Sequence, residues 1–275
     1  MTAPPPPASA DDLRARFGAH TPLIGMVHLL PLPGSPGWSG PMNVVLKRVE
    51  HDVRALVEGG VDGVLVENIG DRPFHPDTVP PATVAAMTRA VALAVELADD
   101  RPVGVNVLRN DAAAGLAVAA ATGAQFLRIN IHTGSMFTDQ GLIHGRAHET
   151  LRLRAQLAPD VLLLADILVK HAVAPPGLDA AQHARDTRAR GMADALVVSG
   201  PETGRAADPL RLDSIRRAVP DAPIWIGSGL DPDSGPRLLR QAHGGIVGTV
   251  LHRDGDLNRE IDIERVRRFV GSARE

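Results

Sequence analysis

Apolar positions along this chain alternate between two rhythms. One is a short, continuously apolar run ended by a polar residue or a glycine, as in Leu23-Ile-Gly-Met-Val-His28. The other spaces apolar residues three and four apart, as at Val45, Val49, Val53, Leu56 and Val57. The first is the signature of a strand buried on both faces, the second of an amphipathic helix. The runs predict strands at 23–28, 62–67, 102–107, 125–131, 161–166, 195–199, 223–226 and 244–249. Helices are predicted at 43–58, 80–97, 111–121, 146–157, 180–190, 208–218 and 261–270, with a short one between the last two strands. Glycines such as Gly59-Gly60, Gly123 and Gly191 stop several helices just before the next strand. Strict alternation of strand and helix, closing at eight units, predicts a single-domain (β/α)₈ TIM barrel over residues 21–275. An open doubly wound sheet is the competitor, but no Gly-x-Gly-x-x-Gly turn follows the first strand. Residues 1–20, rich in Pro and Ala, read as a disordered tail with neither a basic segment nor an apolar core of a signal peptide.

Barrel chemistry sits at the C-terminal ends of the strands, so the residues there are the candidates. In strand order they are His28; Glu67 and Asn68; Asn106; Asn130 and His132; Asp166 with Lys170 beyond it. Ser199-Gly200 ends strand six, Ser228-Gly229 strand seven and Gly248-Thr249 strand eight. Glu67, Asp166, Lys170 and His28 are the catalytic candidates, the carboxylates for acid/base work and the lysine as a cation for developing negative charge. Asn68, Asn106, Asn130 and His132 are assigned to substrate hydroxyl or carbonyl groups. Ser228, Gly229, Gly248 and Thr249 present turn amides suited to a phosphate or another anion. A buried, satisfied His28 and carboxylates engaged in structural ion pairs are the competing readings.

Composition narrows the field. Net charge is −3, which leaves no basic field for nucleic acid, and no cysteine is present, which removes thiolate chemistry. No apolar run reaches the length of a transmembrane segment. A cytoplasmic protein is expected. Of the 29 basic residues only Lys47 and Lys170 are lysines, which makes Lys170 stand out. His28, Glu67, His132 and Asp166 are residue types that bind Mg²⁺, Mn²⁺ or Zn²⁺, but no compact motif joins them, so no metal is assigned and the cofactor is unknown. The stretch 133–141, polar apart from Met136 and Phe137, reads as a lid over the rim or as a contact in a homo-oligomer, which the chain is expected to form.

Several motifs together resemble the BtpA family. They are Gly25-Met-Val-His-Leu-Leu-Pro-Leu-Pro-Gly34, Glu67-Asn-Ile-Gly-Asp71, Arg128-Ile-Asn130 with Asp139-Gln-Gly141, Ala165-Asp-Ile167 with Lys170-His-Ala172, Thr203-Gly204, Gly227-Ser-Gly229 and Gly245-Ile-Val-Gly-Thr249. The resemblance implies a TIM barrel of unassigned reaction and adds Thr203 and Gly204 to the substrate-binding candidates. Where family members tend to carry Ser-Leu-Lys after the strand-eight glycine, this chain has Val250-Leu-His252, which weakens a cation that would help to hold phosphate. The expected function is lyase, isomerase or glycosyl-bond chemistry on a small anionic metabolite such as a sugar phosphate or a nucleotide-derived compound. The alternative implied by the resemblance is a non-catalytic assembly factor in photosystem I biogenesis.

Overall fold

A computed structural model of the chain describes residues 6–200 and 208–275. Eight parallel strands close into a barrel: β1 (Leu23–His28), β2 (Gly63–Glu67), β3 (Val103–Asn106), β4 (Phe126–Ile129), β7 (Leu162–Ile167), β9 (Ala195–Val198), β10 (Ile224–Ile226) and β11 (Gly244–Val247), with β11 paired back onto β1. The outer ring comprises α2 (Met42–Gly59), α3 (Pro81–Leu97), α4 (Ala112–Thr122), α5 (Ala147–Leu157), α6 (Ala180–Arg185), α7 (Pro209–Ala218), α8 (Gly235–Leu239) and α9 (Ile263–Ala273). The TIM barrel expected from the alternation is the fold observed. A π-helical turn, Asp186–Arg190, completes the helix predicted at 180–190. Among the described residues no helix is long and apolar enough to cross a membrane.

Two layers of core follow from the strand pleat. One face of each strand packs outward on the helices, and the other faces the barrel axis. Ile24, Met26, Leu65, Phe126, Leu164, Ala195, Val197, Trp225 and Ile246 fill the axis. Large rings meet glycines there. A Cβ on Gly104 would lie 2.2 Å from the Phe126 ring, and one on Gly244 would lie 2.7 Å from the Trp225 ring. Two residues further along each strand the same face carries His28, Glu67, Asn106, Arg128, Asp166, Ser199, Gly227 and Gly248. The axis is thus apolar below and polar above.

Residues 1–20 were expected to be a disordered tail, but Ala10–Phe17 forms helix α1. Ser9 and Asp12 make a reciprocal capping box, and Gly18 ends the helix at φ 65°. Leu13 and Phe17, one helical turn apart, are buried under the barrel. The Phe17 ring sits 5.4 Å from Phe126 and 5.3 Å from Trp225, plugging the lower mouth. Phe17→Ala is therefore expected to cost about 3–5 kcal/mol in a urea unfolding titration, as for other buried aromatic truncations. A loss below about 1 kcal/mol would mean that α1 does not seal the barrel.

A second difference lies after β4. The stretch 133–141, expected as a lid or an oligomer contact, begins a hairpin, β5 (Ser135–Thr138) and β6 (Gly141–His144), to which β8 (Ala172–Val173) adds a third antiparallel strand. Met136 and Ile143 point down into a small core with Ile131 and Val169. Phe137, Leu142 and Val173 share one row on the opposite face and are exposed by 50%, 46% and 68%.

Candidate functional site

A cavity of about 250 Å³ opens at the C-terminal end of the barrel. His28, Glu67, Arg128 and Lys170 line one side, and the turns Gly227–Asp231 and Val247–Val250 line the other. Four catalytic candidates were named from the sequence. The structure brings His28, Glu67 and Lys170 to this cavity and places Asp166 in the layer just beneath it.

That lower layer is a hydrogen-bonded frame. Arg128 Nη2 donates to both Asp166 oxygens at 3.1 and 3.2 Å, and Arg128 Nε reaches Oδ1 at 3.3 Å. Asn130 Nδ2 donates to Asp166 Oδ2 at 2.7 Å. Asp166 is thereby committed to holding Arg128 and Asn130, which argues against its serving as a free acid or base. Asn106 Nδ2 donates to Glu67 Oε2 at 2.8 Å, leaving Oε1 available above. Asn106, expected on substrate, instead orients Glu67, which lines the cavity, and Asn130 holds Asp166 in the layer beneath. Burial opposes the charge on Arg128, and the Asp166 and Glu67 carboxylates outweigh it, so its pKa is raised.

Lys170 reaches the cavity from the segment after β7. Arg211 Nη2 donates to the Leu168 carbonyl at 2.9 Å, and Arg109 Nη2 donates to the Lys170 carbonyl at 2.9 Å, clamping this segment from both sides. No hydrogen bond or ion pair ties Lys170 Nζ to another described residue. Burial lowers its pKa and the Arg128 charge lowers it further, with Glu67 and Asp166 acting in the opposite sense.

The opposite wall carries two glycine turns, with Leu230, Asp231 and Val250 beside them. No hydrogen bond runs from the N–H groups of Ser228, Gly229, Gly248 or Thr249 to another described residue, and Ser228 Oγ is buried without a partner. Gly229 takes φ +75°, which disfavours a side chain. Gly248 is required for space, since a Cβ there would lie 2.7 Å from His28 Cε1.

Two substrate-binding candidates lie elsewhere. Asn68 accepts from Leu108 N at 2.7 Å and donates to Asp71 at 3.0 Å, while Asp71 accepts from Leu32 N at 2.8 Å. The Glu67-Asn-Ile-Gly-Asp71 motif therefore sends only Glu67 to the cavity and uses the rest to join the loops after β1 and β2. His132 bonds the Gly191 carbonyl at 2.7 Å and packs between β4 and the π-helical turn. Thr203 and Gly204 lie outside the described residues. No group of three or more His, Asp or Glu side chains is placed to hold a metal ion among the described residues.

Sequence reading missed Arg128, Arg109 and His252. Arg128 had a signal, because it interrupts the apolar run Gln125-Phe-Leu-Arg-Ile two residues before Asn130 and so shares its face. His252, expected as a weakened phosphate-binding cation, is fully buried beside His28, with Nε2 2.9 Å from His28 Nδ1.

Comparisons with known proteins agree with this architecture. The sequence model of the BtpA family matches residues 19–275. The photosystem I biogenesis protein BtpA of a Synechocystis strain is 47% identical over 266 residues, covering 96% of this chain and 92% of its own. An uncharacterized Thermococcus kodakarensis protein is 43% identical over 256 residues, covering 92% and 95%. Among solved structures, N-(5'-phosphoribosyl)anthranilate isomerase from Pyrococcus furiosus superposes with a TM-score of 0.56 at 14% identity, covering 93% of this chain and 99% of that one. At that identity the likeness is one of fold.

Proposed function

The chain belongs to the BtpA family, and from that premise we propose that it is an enzyme acting on a small anionic metabolite whose phosphate rests on the Ser228–Gly229 and Gly248–Thr249 turns. The observation that carries this reading is a wall of N–H groups without a hydrogen-bond partner among the described residues, facing Lys170 and Arg128 across one cavity. Bare amides bind the oxygens of a tetrahedral anion without a side chain's entropy cost, and two nearby cations add long-range attraction. Glu67, with one oxygen held by Asn106 and the other open, and His28 are placed for proton transfer at the far end of such a ligand. Lys170 then balances negative charge that develops on the reacting oxygen. Lyase, isomerase and glycosyl-bond reactions all draw on this set.

A thermal-shift panel of inorganic phosphate, sugar phosphates and nucleotides, with and without Mg²⁺, tests the proposal. A ligand at about a hundred times its Kd adds about 2.7 kcal/mol of stability. The shift is expected to vanish in Gly248→Leu, whose side chain would enter the space of the His28 ring, and to weaken in Lys170→Met. A silent panel with stable protein would overturn the proposal. It would favour a second reading, an assembly factor of the kind the Synechocystis relative's name describes. The exposed Phe137, Leu142 and Val173 row supports that reading as a docking face for a protein partner or a second copy.

A further inference from the structure

Behind His28 lies a buried polar chain that the proposed function does not use. Arg48 and Asp52 on α2 form a buried ion pair with Nε to Oδ2 at 2.7 Å. Asp52 Oδ1 accepts from Ile261 N at 2.9 Å. Arg48 donates to the carbonyls of Asn258 at 3.0 Å, Leu257 at 3.3 Å and Arg259. The Arg259 carbonyl is thus fixed in place, and His252 Nδ1 sits 2.7 Å from its oxygen.

This carbonyl decides where the protons are. A carbonyl oxygen only accepts, so the short contact requires a hydrogen on His252 Nδ1. Arg48 Nη2 lies 3.4 Å from the same nitrogen, but a guanidinium donates only, and both groups are satisfied by the shared oxygen. A neutral His252 with its proton on Nδ1 has a lone pair on Nε2. His28 Nδ1, 2.9 Å away, must then be the donor. His28 Nε2 is left without a proton. The Cε1–Nε2 edge faces Gly248, where a Cβ would lie 3.3 Å from Nε2, and Gly248 lines the cavity.

We infer that His252 is a positioning residue that holds His28 in its Nδ1–H form, so that Nε2 stands in the cavity as a proton acceptor and the ligand must meet it with a hydroxyl or other donor. The ligand class is accordingly a hydroxyl-bearing anion, such as a sugar or polyol phosphate, and not an anion that offers acceptors alone. The transfer balances simply. The ligand O–H bond breaks, an N–H bond forms at Nε2, and the imidazolium keeps its Nδ1–H on His252. Burial keeps both rings neutral before ligand arrives, pulling each pKa down, and the charges of Lys170, Arg48 and Arg128 push His28 the same way. The inference rests on the cavity being the ligand site, as proposed above, but its first test needs no ligand.

That test is long-range ¹⁵N–¹H NMR of the full chain labelled at histidine, at neutral pH. His28 and His252 are both expected as neutral rings protonated at Nδ1. A proton on His28 Nε2 would overturn the inference whatever the panel of ligands shows. His252→Phe, which removes the acceptor, is expected to release His28 toward the Nε2–H form, and His252→Gln, whose amide oxygen can accept from Nδ1, to restore the original form. In binding assays His252→Phe should lose about tenfold in affinity for a sugar phosphate, the worth of one hydrogen bond, and leave inorganic phosphate unaffected. Equal loss of both ligands would show a merely structural role. If neither ligand binds wild-type protein, the phosphate proposal fails, while the ring protonation still decides the role of His252.

Discussion

Asp166→Ala is expected to destabilise the protein by about 3–5 kcal/mol, because it removes the counter-charge of a buried guanidinium. Arg128 is 3% exposed, and its only ion-pair partner among the described residues is Asp166. Stranded in the barrel without it, the cation must draw in water or be expelled past the cavity. Asn130 Nδ2 would lose its acceptor at the same time. The double replacement Arg128→Met with Asp166→Leu should cost less than the single change, since it removes both charges and leaves none unpaired. Chemical unfolding of the three proteins checks this. A single variant within about 1 kcal/mol of wild type would show that the pair is not a structural anchor and would return Asp166 to the list of free acids and bases.

Stability is also expected to fall steeply when the pH drops below about 6.5, the ordinary histidine value. His28 and His132 are buried, and burial lowers the pKa of each, His28 well below 6.5. In the unfolded chain both titrate normally. Between the ordinary value and the lowered one the unfolded state therefore binds more protons than the folded state. Stability is full above about pH 6.5 and is lost as the pH falls, at up to about 1.4 kcal/mol per pH unit for each ring. His183, His243 and His252 are lowered by burial as well and add in the same sense. Asp52 and Asp71, raised by burial, act with the opposite sign in the carboxylate range. Midpoints of thermal unfolding from pH 8 to pH 5 would record the slope, and His132→Phe should flatten it. A midpoint that does not move across that range would refute the neutral buried histidines. The same loss would act on the cavity, because protonated His28 no longer offers a lone pair at Nε2.

How much of this was legible beforehand depends on how far a signal reaches along the chain. The eight strand–helix units, the glycine turns after the last two strands and the strand-end polar residues are local patterns. Each is produced by residues that are neighbours in sequence and packed on both faces of a parallel strand, so apolar run and element coincide. That same two-sided burial hides the pleat. In a run such as Val61-Asp-Gly-Val-Leu-Val-Glu67 nothing tells which alternate set faces the axis. Closure of the barrel settles it, placing Glu67 inward and Asn68 into the loop frame with Asp71 and Leu108. Helix α1 was missed because only two anchors, Leu13 and Phe17, distinguish it, and their partners Phe126 and Trp225 are remote in sequence.

The sequence by itself therefore determined the architecture and which polar strand-end residues gather at one mouth of the barrel, because both are set by short-range periodicity and by the direction of the strands. Only the tertiary structure decided which polar groups line the cavity and which merely hold others. That distinction rests on contacts between residues far apart in the chain: Arg128 on Asp166 across 38 positions, Arg48 on the Arg259 carbonyl across 211, and His28 on His252 across 224. A hydrogen bond is specified by the position of two atoms in space, and no local pattern encodes that position until the ring of strands has closed.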